Sequence, residues 1–238
     1  SFLRDNKIAK TSQLNPNDQY AAMKSIIEQG SDVLCISFSS ALSGTYQSAV
    51  LAQKELMVEY PDSKIICIDS LSASMGLGLL VTYAAEKANK GESIEEVSQW
   101  VEANKLRLSH LFTVGDLNHL KRGGRLSAPK AFIGTLIQLK PLLHVDAEGK
   151  LVPYANARGR QVAIKRMVER FVATVEKPEE QIIYISHGDC LEEALLMKDE
   201  ILKQVKVKEV LIHFIGPIIG AHSGLGTLAL FYLGNERI

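Results

Sequence analysis

The sequence predicts an α/β protein of two α/β domains, the first around a parallel, doubly wound sheet and the second around a mixed sheet. Three observations carry that expectation. In the first half, short apolar runs such as VLCISF (33–38) and KIICID (64–69) alternate with stretches of helical period. Strands separated by helices pair in parallel through right-handed crossovers. In the second half the strands come closer together, and Asp146-Ala147-Glu148-Gly149 between two apolar runs reads as a hairpin turn. The texture changes near residue 108, which predicts domains of residues 1–108 and 109–238.

The elements follow in order. Residues 16–29 read as a helix, with Asn15 as cap and Pro16 at the first helical position. The run 33–38 is a buried strand after the turn-like QGSD, and 44–57 is a helix. A strand over 64–69 precedes helices over 74–89 and 93–107, the latter opened by Ser93 and Glu96 as a capping box. HLFTVGDL (110–117) reads as a strand and 129–139 as a helix; LLHVD and KLVPYAN form the hairpin arms. Residues 160–176 read as a helix with a basic side, and QIIYISHG as a strand followed by Asp189 as cap of a helix over 191–204. EVLIHFIGPIIGAHSG runs as a strand into a Gly-rich turn that holds His222, and Gly224-Leu225-Gly226 precedes a short apolar helix.

Composition narrows the function classes. The chain has 238 residues, 46% of them hydrophobic, and 27 basic side chains balance 27 acidic ones. That is a soluble globular composition. No apolar run reaches the length of a membrane span, so membrane contact is expected to be transient at most. A net charge of zero argues against a general nucleic-acid role, which needs a basic surface. The three cysteines form no CxxC, so neither a disulfide framework nor a zinc site is expected, and a reducing, cytoplasmic setting follows. Cys35 and Cys67 sit inside apolar runs and read as small core residues.

Common enzyme motifs are absent. The chain has no GxxxxGK[ST], HExxH or GxSxG. Gly76-Leu77-Gly78 follows a strand, but Val81 stands where a dinucleotide fingerprint needs its third glycine. The six histidines show no metal-ligand spacing, so no metal or cofactor is expected.

What stands out is a cluster of hydroxyls where the strand 33–38 hands over to a helix: Ser37, Ser39, Ser40, Ser43 and Thr45, with Gly44 among them. Ligands bind at such strand ends, and free N–H groups with the helix dipole favour an anion there. Hydroxyls add neutral donors, which suits a carboxylate or phosphate. The same residues also read as a cap, on Ser43 or Ser40, with turn formers around it. Three more patches accompany the cluster. KTSQLNP (10–16) sets Thr11 and Ser12 before a helix. KRGGRLS (121–127) and ARGR (157–160) set arginines beside flexible glycines. GPIIGAHSGLG (216–226) leaves both ring nitrogens of His222 able to bond a ligand or order a hydroxyl.

Together, KTSQ, SSALSGTYQSA, LKRGGRLS, IQLKPLLHVDAEGKL and GPIIGAHSGLG, in this order and over nearly the whole length, resemble the DegV family of bacterial fatty-acid-binding proteins. Each motif is weak alone; the ordered set is specific. The resemblance implies two α/β domains with a long-chain fatty acid, such as palmitate, stearate or oleate, buried between them. It implies a non-enzymatic carrier that presents the acid to a fatty-acid kinase subunit, which phosphorylates the carboxylate for phospholipid synthesis. It further implies that Thr11 and Ser43 bond the carboxylate, with Ser40 as the alternative within the cluster. His222 and Arg158 would lie near the headgroup, and Arg125 on the rim where a kinase or phosphorylated product would meet it. The family's opening strand, with its Asp-Ser-Thr-rich motif, has no match here, so the resemblance implies a first domain lacking that strand.

Acyl burial suits this reading: about fifteen methylenes at ~0.8 kcal/mol each give a gross term near ~12 kcal/mol before association costs. Leu, Ile, Met and Phe in 129–143 and 211–232 are expected to line the tunnel, beside their ordinary reading as core. The alternative from another class is a serine acyl hydrolase with Ser43 as nucleophile and His222 as base. It lacks a nucleophile elbow and an evident acidic partner for His222. A DNA-linked regulator has no recognition helix to point to.

Overall fold

A computed structural model describes residues 4–5, 8–128, 139–235 and 237. The chain packs as two compact units. The smaller comprises Ser12–Ala73 and Leu77–Leu106; the larger holds Arg107–Ile238, Ser74–Gly76 and the residues up to Thr11.

The smaller unit is built on two parallel strands, β1 (Val33–Ser37) and β2 (Ile65–Asp69), in register from Val33↔Ile65 to Ser37↔Asp69. Four helices belong to it in whole or part: α1 (Pro16–Ile27), α2 (Thr45–Glu59), α3 (Ser74–Asn89) and α4 (Ile94–Asn104). Local chemistry fixes their ends. Asn15 Oδ1 accepts the Asp18 N–H at 3.0 Å ahead of Pro16, and Ser93 and Glu96 close a reciprocal capping box. On α2, Ala49, Ala52 and Leu56 recur at helical spacing and pack with Met23 and Ile27 of α1 against Val33 and Ile65.

The larger unit carries a six-stranded sheet of order β5-β4-β3-β8-β6-β7. Its strands are β3 (Leu108–Thr113), β4 (Lys140–Val145), β5 (Leu151–Ala157), β6 (Ile182–His187), β7 (Glu209–Phe214) and β8 (Leu228–Leu233). Only β6 and β7 pair in parallel; the other neighbours are antiparallel. The sheet is therefore mixed, and β4–β5 is the hairpin that Asp146–Gly149 foretold. Helices α5 (Asn118–Arg122), α6 (Arg160–Thr174), α7 (Leu191–Gln204) and α8 (Pro217–Ser223) accompany it among the described residues. Ala163, Ile164, Met167, Val168 and Phe171 of α6 and Ala194, Met197 and Ile201 of α7 bury their stripes against Leu111, Ile183, Leu230 and Tyr232. Each buried Val, Ile, Leu, Met or Phe among them contributes roughly 1.5–3 kcal/mol of transfer free energy.

Several expectations need correction. Residues 228–233 form β8, not a short apolar helix. β8 lies between β3 and β6, and its first five residues are all buried. A strand covered on both faces loses its alternation and then reads like a buried helix. The segment after β7 is a helix, not a turn: Pro217 takes the first helical turn and Gly224, at φ 78°, the C-cap. The strand expected over 110–117 runs from Leu108 to Thr113, and α5 follows it. Asp189 does not cap α7. Its backbone is left-handed at φ 65°, Cys190 holds the cap position without a side-chain bond, and the Asp189 carboxylate instead accepts two bonds from Arg4 at 2.6 Å. The helix expected over 129–139 falls, but for its last residue, outside the described residues.

Candidate anion site

Two of the expected residues, from opposite ends of the chain, meet in the larger unit. Thr11 Oγ1 lies 2.7 Å from His222 Nε2. His222 reaches this position from the last turn of α8. Thr227, 3% exposed, fixes that turn with its hydroxyl 2.9 Å from both Ser223 O and Gly224 O. The Nδ1 edge of the imidazole lies against Gly123, where any Cβ would overlap it. Gly123 of the KRGGR motif thus lets the backbone approach a ring.

The Thr11–His222 pair lines a cavity of about 290 Å³. Arg125, Arg122 and Lys10 line it as well, with His119, and among the described residues no carboxylate does. The guanidinium of Arg125 is steered by a bond to Gly123 O at 2.6 Å, and Arg122 by one to His119 Nδ1 at 3.2 Å. Burial, helped by the charge of Arg125, lowers the pKa of His222. The ring is therefore neutral near pH 7 and one nitrogen carries its proton. With that proton on Nε2, His222 donates to Thr11 Oγ1 and leaves the hydroxyl proton of Thr11 to donate to a third group. The arrangement offers neutral donors in a cationic surround, which fits a small anionic headgroup.

The hydroxyl cluster belongs to the smaller unit and is resolved into local roles. Ser37 and Ser39 are buried, and Ser37 Oγ lies 3.5 Å from the Cys35 sulfur. Ser43 Oγ lies 2.9 Å from Thr45 Oγ1 and accepts the Thr45 N–H at 3.3 Å. It is half-buried at the start of α2, whose cap position is held by Gly44 without a side-chain bond. Neither Ser40 nor Ser43 is therefore the helix cap. The organiser of this loop is Asp69, whose Oδ1 accepts the N–H groups of Ser40 and Leu71, both at 3.1 Å. Gln13 packs its amide against Gly44. Arg158 is exposed, just before α6, and is not among the residues lining the cavity.

Reading the sequence missed Lys10, Arg122, His119, Asp69 and Gln13. All but Asp69 and His119 lie inside the quoted motif strings, yet nothing in the strings tells which member faces the cavity. His222 Nε2 is engaged with Thr11. Among the described residues, no group of three or more His, Cys, Asp or Glu side chains could hold a metal ion, and no helix is long and apolar enough to cross a membrane.

Comparison with known proteins supplies the context. A family model described as "uncharacterised protein, DegV family" matches residues 2–235. A DegV domain-containing protein of Clostridium perfringens is 44% identical over 235 residues, which is 99% of this chain and 81% of the relative. A DegV family protein from Thermus thermophilus, whose structure is described as binding fatty acid, superposes with a TM-score of 0.89 at 31% identity, covering 97% of this chain and 81% of that one. The structure of a family member from Ruminococcus gnavus, refined with vaccenic acid, gives a TM-score of 0.85 at 25% identity over 97% of this chain and 81% of that one.

Proposed function

The chain belongs to the DegV family, and from that membership we propose that it binds a long-chain fatty acid and presents its carboxylate to a fatty-acid kinase subunit. The observation that carries the headgroup assignment is the Thr11–His222 hydrogen bond beside a cavity that Lys10, Arg122 and Arg125 line. In this reading His222 Nε2–H holds Thr11 Oγ1, and the freed Thr11 proton goes to a carboxylate oxygen. Arg125 and Arg122 lower the energy of the anion without forming a fixed pair that would blunt it as a nucleophile. The kinase supplies the phosphate, since the chain has no phosphate loop of its own. Ser43 and Arg158 remain candidates for the same headgroup.

Native mass spectrometry of freshly purified protein, followed by organic extraction, tests the ligand. The expected result is a bound C14–C18 fatty acid. A protein that is empty and takes up none of these acids overturns the proposal. The site is tested by Thr11→Val. Losing a hydrogen bond to a charged group, worth roughly 1.5–3 kcal/mol, should weaken fatty-acid binding by about ten- to a hundredfold. Unchanged affinity in Thr11→Val, with fatty acid still bound, would move the headgroup elsewhere.

A further inference from the structure

Fatty-acid binding makes no use of two thiols in the smaller unit. Cys35 on β1 and Cys67 on β2 are register partners in the parallel pair. Neighbouring strands lie about 4.8 Å apart, inside the roughly 4.4–6.8 Å Cα separation of disulfide-bonded cysteines. Closure between them asks for side-chain rotation and a small local approach, since bonded cysteines hold their Cβ atoms roughly 3.5–4.5 Å apart. Both side chains pack on the same face, beside Val33, Ile65 and Ala49. Both are free and half-buried, so a small solute reaches them.

The two thiols are not equivalent. A hydrogen bond from Cys67 lowers the pKa of Cys35 against the effect of burial, and the Ser37 hydroxyl lowers it further. Ser37 touches Cys35, while the Cys67 thiol points to Ala49 O at 3.7 Å, which favours Cys35 as the attacking sulfur. The same pairing, with burial, holds Cys67 above the ordinary thiol range. The thiolate is the attacking form of cysteine, and a protonated thiol in contact with it is placed to resolve the oxidised product. Cys190 differs: burial raises it to about 11, and its thiol points to Thr227 O at 3.4 Å.

We infer that Cys35 and Cys67 form a reversible oxidation site that takes hydrogen peroxide as its two-electron oxidant and closes to a disulfide within the smaller unit. The Cys35 thiolate attacks one peroxide oxygen, the O–O bond breaks, and the departing hydroxide takes a proton to become water. Cys35 is then a sulfenic acid. Cys67 loses its proton and attacks the Cys35 sulfur; the S–O bond breaks, and the second hydroxide leaves as water with a proton. Two thiols and one peroxide give one disulfide and two waters. A small dithiol reverses the change by exchange. This inference is independent of the fatty-acid proposal.

The test is a hydrogen peroxide titration of the whole chain, then denaturation in an alkylating agent and peptide mass mapping. The expected result is a cross-linked pair of peptides holding Cys35 and Cys67, lighter by two hydrogens, with Cys190 still alkylated. Dithiothreitol should restore alkylation at both. In Cys67→Ser the resolving thiol is gone, so dimedone should trap Cys35 sulfenic acid at about tenfold the wild-type yield. Full alkylation of both cysteines after excess peroxide overturns the inference, as does a cross-link that uses Cys190 or joins two chains. Should Cys67→Ser not fold, the wild-type mapping decides alone.

Discussion

Polar pairs within the smaller unit span from 2 to 39 residues of sequence, and those within the larger unit reach 211. In the smaller unit Ser43 bonds Thr45, Ser93 bonds Glu96, and Asn15 caps Asp18. In the larger, Thr11 meets His222, Thr174 lies 2.6 Å from the Tyr232 hydroxyl, and Arg4 reaches Asp189. Local pairs shape a loop or a helix end and cost little chain entropy to form. Distant pairs hold only when the sheet around them is complete. The larger unit should therefore lose most from a broken core, and the smaller unit least from a broken cap.

Phe171→Ala gives the largest expected effect. Phe171 is fully buried and meets Tyr232 edge-on at 4.9 Å between ring centroids. Its loss should cost about 3–5 kcal/mol, read from the urea midpoint. A cost under ~1 kcal/mol would mean that this core does not carry the sheet.

A pH effect comes next. His110, 2% exposed on the central strand β3, has its pKa held well below the ordinary value, by burial first and then by the charge of Arg237. The unfolded chain titrates it near ~6.5, so the unfolded state takes up the proton first. The stability from His110 is intact above that pH and falls as pH drops below it. Lowering pH from about 7.5 to about 5.5 should cost about 1.4 kcal/mol through this group. His187 and His222 are lowered as well, again by burial first. The flattening of the profile in His110→Gln isolates the share of His110, and an unchanged slope would remove it from the account.

The smallest effect is expected in the smaller unit. Ser93→Ala removes the cap of α4 and should cost about 1 kcal/mol, with faster amide exchange confined to the first turn. A cost as large as that of Phe171→Ala would erase the contrast between the units.

The same contrast explains what was legible. Asn15-Pro16 and Ser93…Glu96 announce helix starts because the interaction lies within three residues. β1, β2 and the β4–β5 hairpin are short apolar runs with clear turns. β8 was misread because both its faces are covered. Helix α8 was missed although Pro217 and Gly224 bracket it, since its seven residues are too short for a period to show. Thr11 and His222 stand 211 residues apart. No local pattern can join them, and only the order of the motifs along the chain pointed to both. Lys10 and Arg122 were printed in those motifs, but their facing is set by backbone geometry that spacing does not encode.

The position of β8 has a consequence for how the molecule is made. Residues 228–233 follow all the other strands in the chain, yet they lie between β3 and β6 and bond to both. On the ribosome, β3, β4 and β5 can assemble as a meander, and β6 and β7 as a parallel pair around α7. Until β8 emerges these two groups share no strand. Each must wait with an open edge and uncovered apolar side chains. Vectorial synthesis therefore leaves these strands in two groups until β8 has emerged, and a chain stalled before it exposes both edges to other chains.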